Sequence, residues 1–173
     1  MIYDSCFMKL AFVHDFLVQN GGAESVLRAL HAVWPKAPIY TIVHDPKRVH
    51  ADFRTKEIHP SFLQHIPFGV SRYQWFLPLM PQAIEGHNLM EYDVVLSSSS
   101  AFAKGVITGP RTLHVCYCHT PTRYLWTDTH SYVRELSYNR LVKRIVPFLL
   151  TNLRLWDQMT AHRVDHFIAN SRN

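Results

Sequence analysis

Short apolar runs alternate along this chain with stretches of helical periodicity. Lys9–Phe16 ("KLAFVHDF") is an apolar run closing in polar residues, and it predicts a buried strand. Beyond it, Ala23, Val26, Leu27, Leu30 and Val33 recur at helical spacing until Pro35 ends the pattern. Asn20-Gly21-Gly22 supplies the turn before that helix. Glu24 falls in its first turn, where the positive end of the helix dipole favours a carboxylate. Ala37–Asp45 is rich in β-branched residues and runs into Asp-Pro, so it reads as the next strand. The three pieces form a β-loop-α-β unit, the building block of a parallel sheet.

The middle of the chain is less regular. "EIHPSFLQHIPFG" predicts a short strand and a turn, and "SRYQWFLPLMPQAIEGHNL" predicts broken helices interrupted by Pro78 and Pro81. Regularity returns with a buried strand over Asp93–Leu96, followed by Ser97–Ser100 where strand should hand over to helix. "RTLHVCYCHTP" is a further strand closed by Pro121. Val133–Arg163 carries a long helix, or two helices meeting at Pro147, and "VDHFIANSRN" a last strand. The fold class expected is α/β: a Rossmann-like, doubly wound, mostly parallel sheet flanked by helices. Ligands of such sheets bind at the carboxyl ends of the strands. Gly21-Gly22, the serine run, His119 and Asn170-Ser171 all follow strands, so they should share one rim.

Composition narrows the class. The chain has 173 residues, 47% hydrophobic and 13% aromatic, enough for one domain with a sizeable core and far from disorder. No apolar run reaches the ~18 residues that span a bilayer, and residues 1–8 read as an extension rather than a signal peptide. The cysteines Cys6, Cys116 and Cys118 suit a reducing, cytoplasmic setting without structural disulfides. A net charge of +5 and a pI near 9.2 favour anionic partners. No helix-turn-helix, zinc-finger or stacking-platform signature accompanies that charge, so nucleic acid is not an expected partner.

"HVCYCHTP" (114–121) concentrates the candidate chemistry. Along a strand His114, Cys116 and Cys118 face one way, and Val115, Tyr117 and His119 the other. Cys-x-Cys in a strand fits a zinc site poorly, and no second paired cluster exists, so the cysteines read as small buried apolar residues and no metal is expected. A thiol in that setting also lacks what would ionise it. His119 stands at the strand end and should face the rim, either as a functional group or as a capping histidine.

The glycine turn could let backbone approach a phosphate at a helix N-terminus, or be a plain tight turn. It matches neither G-x-G-x-x-G nor a Walker loop. Ser98 and Ser99 sit in a run that is either a hydroxyl-lined ligand edge or, more plainly, a strand-end turn and helix cap. Asp15, Glu24 and Asp128 are the rim carboxylates; Asp45 and Glu57 read as loop residues.

"AFVHDFLVQNGGAESVLRAL", "YDVVLSSSSAFAKGV", "VCYCHTPTRYLWTD" and "VDHFIANSRN", in that order, resemble the N-terminal half of family 4 retaining glycosyltransferases with the GT-B fold. The resemblance runs from about Lys9 to the end and is nearest to bacterial mannosyltransferase-like enzymes of surface polysaccharides. It implies an acceptor-side domain over 9–173, facing a donor-binding C-terminal domain that this chain lacks and without which it is inactive. It implies Gly21 and Gly22 beside the donor diphosphate, His119 as the catalytic group at the donor sugar, and neither metal nor cofactor. It also brings His14, Asp15, Glu24, Ser98, Ser99, Thr120, Arg123 and Asp128 to the acceptor rim. The partners implied are a GDP- or UDP-linked sugar and a glycan or lipid-linked acceptor.

"YNRLVKRIVPFLLTNLRLW" mixes Arg140, Lys143, Arg144 and Arg154 with apolar residues, which suits peripheral contact with an anionic inner membrane face, or a helix packed on the sheet with its basic residues solvated. Two rivals complete the expectations: a glycogen-synthase-like enzyme, and a non-catalytic binding module docking through Tyr73, Trp75 and Phe76.

Overall fold

The computed structural model describes residues 8–120, 122–127 and 140–170; Cys6, Asp128 and Ser171 lie outside them, as do the side chains of Arg123, Tyr124 and residues 140–145. Six strands form one parallel sheet: β1 (Leu10–His14), β2 (Ile39–Thr41), β3 (Ile58–Pro60), β4 (Val94–Ser99), β5 (Leu113–Cys118) and β6 (His166–Ala169). Their spatial order is β3-β2-β1-β4-β5-β6, the doubly wound Rossmann-like arrangement. The sequence runs outward from β1 to β3 and then returns to start again at β4. The switch point therefore lies between β1 and β4, in register from Leu10↔Val94 to His14↔Ser98.

Both faces of the sheet are covered over its central strands, as a parallel sheet requires, whereas β6 at the edge is exposed along its length. On one face Phe12, Ile39 and Leu96 meet Leu27 of α1 (Gly22–Val33). On the other, Ala11, Val13 and Val95 pack with Met80 and Ile84 of α2 (Met80–Glu85). Val146, Leu150 and Leu153 join that cluster from a long helix over Arg140–Ala161, preceded by the short α3 (Arg123–Trp126) and hence named α4. The Phe102 and Trp156 rings lie 5.6 Å apart in this layer. A methyl group at Gly105 would stand 2.3 Å from the Trp156 ring, so only glycine admits that approach.

Local structure departs from the periodicity in instructive places. The inward positions of α1 are Glu24, Leu27 and His31, whereas Val33 is exposed. His31 is held there by Ala37 O at 2.9 Å and by the Phe12 ring. The predicted strand Asp93–Leu96 is Val94–Ser99, so Ser97, Ser98 and Ser99 are strand residues and are buried. The plainer reading of the serine run as a strand-end turn is thereby corrected. Polar partners on neighbouring strands let the ladder continue: Ser97 Oγ lies 2.9 Å from His114 Nε2, and Ser98 Oγ 3.0 Å from His14 Nδ1. The Pro-interrupted middle forms a 3-10 segment, Tyr73–Leu79, leading into α2 with Pro81 in its first turn. Pro147 lies inside α4, which continues through it.

Candidate functional site

The carboxyl ends of β1, β4 and β5 meet the start of α1, because parallel strands point one way. A cleft of about 240 Å³ opens there, lined by His14, Asp15, Glu24 and Thr120 among the expected residues. Phe16, Gln19, Tyr73 and Ser100 line it as well. Tyr73 reaches the cleft from the irregular middle through its contact with the Phe16 ring, 4.7 Å away. Nothing in the local pattern around Tyr73 signals that position.

Asp15 follows β1 directly and has a structural task. Its carboxylate accepts four backbone N–H bonds, from Ser100 (2.6 Å), Ala101 (2.9 Å), Phe102 (2.8 Å) and Ala103 (2.6 Å). It thus closes the turn beyond β4, and its oxygens are committed to the backbone. Ser99 points to the opposite face and accepts Lys104 N–H at 3.3 Å, so it stands apart from the cleft.

Glu24, His14, Ser98 and His119 do come together. Ser98 Oγ lies 3.0 Å from His14 Nδ1 and 2.8 Å from His119 Nε2. Glu24 Oε1 stands 3.8 Å from His14 Nε2, and both side chains are buried. Glu24 Oε2 accepts the Gly21 N–H at 2.9 Å, the carboxylate half of a capping box in which glycine can offer no side chain. Burial pushes the Glu24 carboxyl up, but His14 and the backbone N–H bonds outweigh it and hold the group below its ordinary range. For His119 burial dominates, the His14 ring adds to it, and the imidazole is held below the usual histidine value. Its ring leans on Tyr117, 5.1 Å away. The expected rim position of His119 therefore comes with an inward hydrogen bond that its place at the strand end did not reveal.

Gly21 is the N-cap and Gly22 the first residue of α1, and neither has positive φ. A methyl group at Gly22 would meet nothing within 4 Å, whereas one at Gly21 would stand 2.9 Å from Glu24 Oε2. No contact among the described residues asks for glycine at position 22. Cys116 is buried and its thiol is pushed up to about 12 by that burial, as suits a small apolar residue in a strand.

A second polar junction centres on α4. The Asp157 carboxylate of α4 accepts Lys104 Nζ, Thr122 Oγ1 (3.1 Å) and Trp126 Nε1 (2.9 Å), tying α4 to the segments after β4 and β5. While Val146, Leu150 and Leu153 face the sheet, Phe148, Leu155 and Met159 on α4 are exposed. Among the described residues no helix is long and apolar enough to cross a membrane. Comparison with protein-family models, curated proteins and solved structures returns no match.

Proposed function

We propose that this chain is the acceptor-side domain of a retaining glycosyltransferase, moving a hexose such as mannose from a GDP- or UDP-sugar to a glycan or lipid-linked acceptor. One observation carries the reading: the Gly21-Gly22 turn and the row ending on His119 converge at the switch point, beside a cleft. Retaining transfer builds negative charge on a leaving diphosphate and an oxocarbenium-like sugar, so positioning and fixed dipoles supply most of the catalysis. The start of α1 offers backbone N–H groups, and the open side of Gly22 leaves room for a phosphate to approach them. His119, held below the usual histidine value, offers a neutral imidazole to a sugar hydroxyl.

The test is sugar transfer by this domain joined to the donor-binding half that the resemblance implies, across a panel of nucleotide-sugars and lipid-linked acceptors. His119→Ala should lower turnover at least a hundredfold, the scale of a positioned catalytic group. Near-normal turnover in that variant would remove His119 from the chemistry. Absence of transfer from every donor would favour the binding module.

The exposed Phe148, Leu155 and Met159 support a second part of the reading, peripheral contact of α4 with an anionic membrane surface. Cosedimentation with vesicles rich in anionic lipid should exceed that with neutral vesicles and weaken with added salt. Equal indifference to both vesicle types would end that part.

A further inference from the structure

The cleft at the switch point divides its polar groups into two sets. Asp15 and Glu24 are buried and already occupied. Asp15 accepts four backbone N–H bonds, and Glu24 is shared between the Gly21 N–H and the His14 ring. The second set is the Gln19 amide and the hydroxyls of Ser100, Thr120 and Tyr73, whose side chains take no hydrogen bond among the described residues. All four are neutral, and each can both donate and accept. A ligand that satisfies them carries donors and acceptors side by side, as vicinal hydroxyls do.

One wall of the cleft is aromatic. Tyr73 lies against Phe16 with ring centroids 4.7 Å apart, and the buried Phe102 meets Phe16 edge-on at 6.3 Å. A half-buried aromatic face suits the C–H side of a sugar ring, while the polar groups meet its hydroxyls. The volume of about 240 Å³ falls below the roughly 300–1,000 Å³ that hold drug-sized ligands, which fits one ring better than a nucleotide. Charge narrows the class further. The lining holds two carboxylates, one imidazole and neither lysine nor arginine. One histidine, charged or not, does not outweigh two carboxylates, so the cleft repels an anion. Gly22 and His119 are not among the lining residues, which leaves the start of α1 and the end of β5 to the donor.

We infer that this cleft takes one uncharged sugar ring of the acceptor, with Tyr73 as its stacking face and the two carboxylates as the bar to phosphorylated or uronic sugars. The inference rests on the transferase reading. It adds which part of the acceptor this domain holds, the chemical class of that part, and the side chain that orients it.

The experiment is titration of this chain, followed by protein NMR, with methyl mannoside and methyl glucoside. Glucuronate and glucosamine serve as the same ring carrying a negative or a positive charge. The neutral glycosides should move the resonances of Phe16, Tyr73 and Ser100, and glucuronate should bind about tenfold more weakly or worse. Tyr73→Ala should weaken the neutral glycosides about tenfold, whereas Tyr73→Phe keeps the ring and should stay within about threefold of the parent. GDP-mannose should not displace a bound glycoside; displacement would assign the cleft to the donor and overturn the inference. Glucuronate bound as tightly as the neutral sugars, glucosamine bound more tightly, an unchanged affinity in Tyr73→Ala, or no shift with either glycoside would each overturn it too. Should Tyr73→Ala fail to fold, Overhauser contacts between the Tyr73 ring and a bound glycoside in the unsubstituted chain decide. The two readings fail separately. A glycoside bound on Tyr73, with no transfer by the assembled enzyme from any donor, would sink the transferase role and leave the sugar site standing. Transfer indifferent to Tyr73→Ala would do the reverse.

Discussion

Asp15 and Glu24 are two buried carboxylates at one strand end, and the structure gives them different work. Both Asp15 oxygens are spent on the backbone of the Ser100–Ala103 turn, whereas Glu24 divides its oxygens between a helix cap and a histidine. Asp15→Asn keeps the shape but turns an NH₂ group towards two of the four donors. Leaving buried N–H groups unpaired costs about 1–3 kcal/mol each, so the variant should lose about 3 kcal/mol in urea unfolding. A loss below about 1 kcal/mol would show that water replaces the carboxylate and that the turn stands without it. The sequence marked both residues as rim carboxylates, because each lies just beyond a strand or inside a first helical turn. Their division of labour depends on which backbone each one meets, and residue type alone is silent on that.

At the scale of elements, α1 shows how a periodic pattern can be read correctly and still mislead about its face. Helical spacing marked the helix, but the buried stripe runs through Glu24, Leu27 and His31. A stripe scored by hydrophobicity cannot include charged and imidazole groups that are bonded in place. The start of α1 yields a test that separates folding from function. Gly22 is exposed, and a side chain there meets nothing, so Gly22→Ala should leave stability equal or raise it by up to about 1 kcal/mol. If a donor phosphate approaches this turn, the same substitution should cost the transferase tenfold or more in kcat/KM for the donor, about 1.4 kcal/mol. A variant as stable and as active as the parent would return the glycine turn to a plain connection.

For the whole molecule, pH is the variable that sums the buried histidines. His87 is the clearest: burial holds it down to about 4, and its Nε2 is buried without a hydrogen-bond partner among the described residues. Burial likewise lowers His31, His44, His114 and His119. Below the ordinary histidine value of 6.5 the unfolded chain takes up protons that the native state refuses. Stability should therefore be full above about pH 6.5 and fall as pH drops from there towards 4. His87 alone accounts for about 2 kcal/mol between pH 6.5 and pH 5. Glu24 extends the loss at lower pH, because its stabilising anion is titrated below the ordinary 4.5. Urea midpoints measured from pH 8 to pH 5 should descend, and His87→Asn should flatten the descent. A level profile would mean that these histidines protonate without unfolding anything.

The sequence by itself determined the alternation of strands and helices, their parallel α/β class, and the set of polar residues that follow strands. Those features rest on local periodicity and local breakers, which act over a few residues. Two things lay beyond its reach: the length of β4, and the identity of His119's partner. Ser97–Ser99 stay in the strand through pairing with β1 and β5, and His14 and His114, 84 and 17 residues away, give the buried Ser98 and Ser97 hydroxyls partners there. Tertiary structure alone decided that β4 returns to lie beside β1 rather than beside β3, and from this the site follows. It brings the end of β1 against the end of β4 and seats Ser98 between two histidines. The helix that begins at Gly22 then sets Glu24 behind the first of them, so a row of buried polar groups no single segment encodes emerges from their packing.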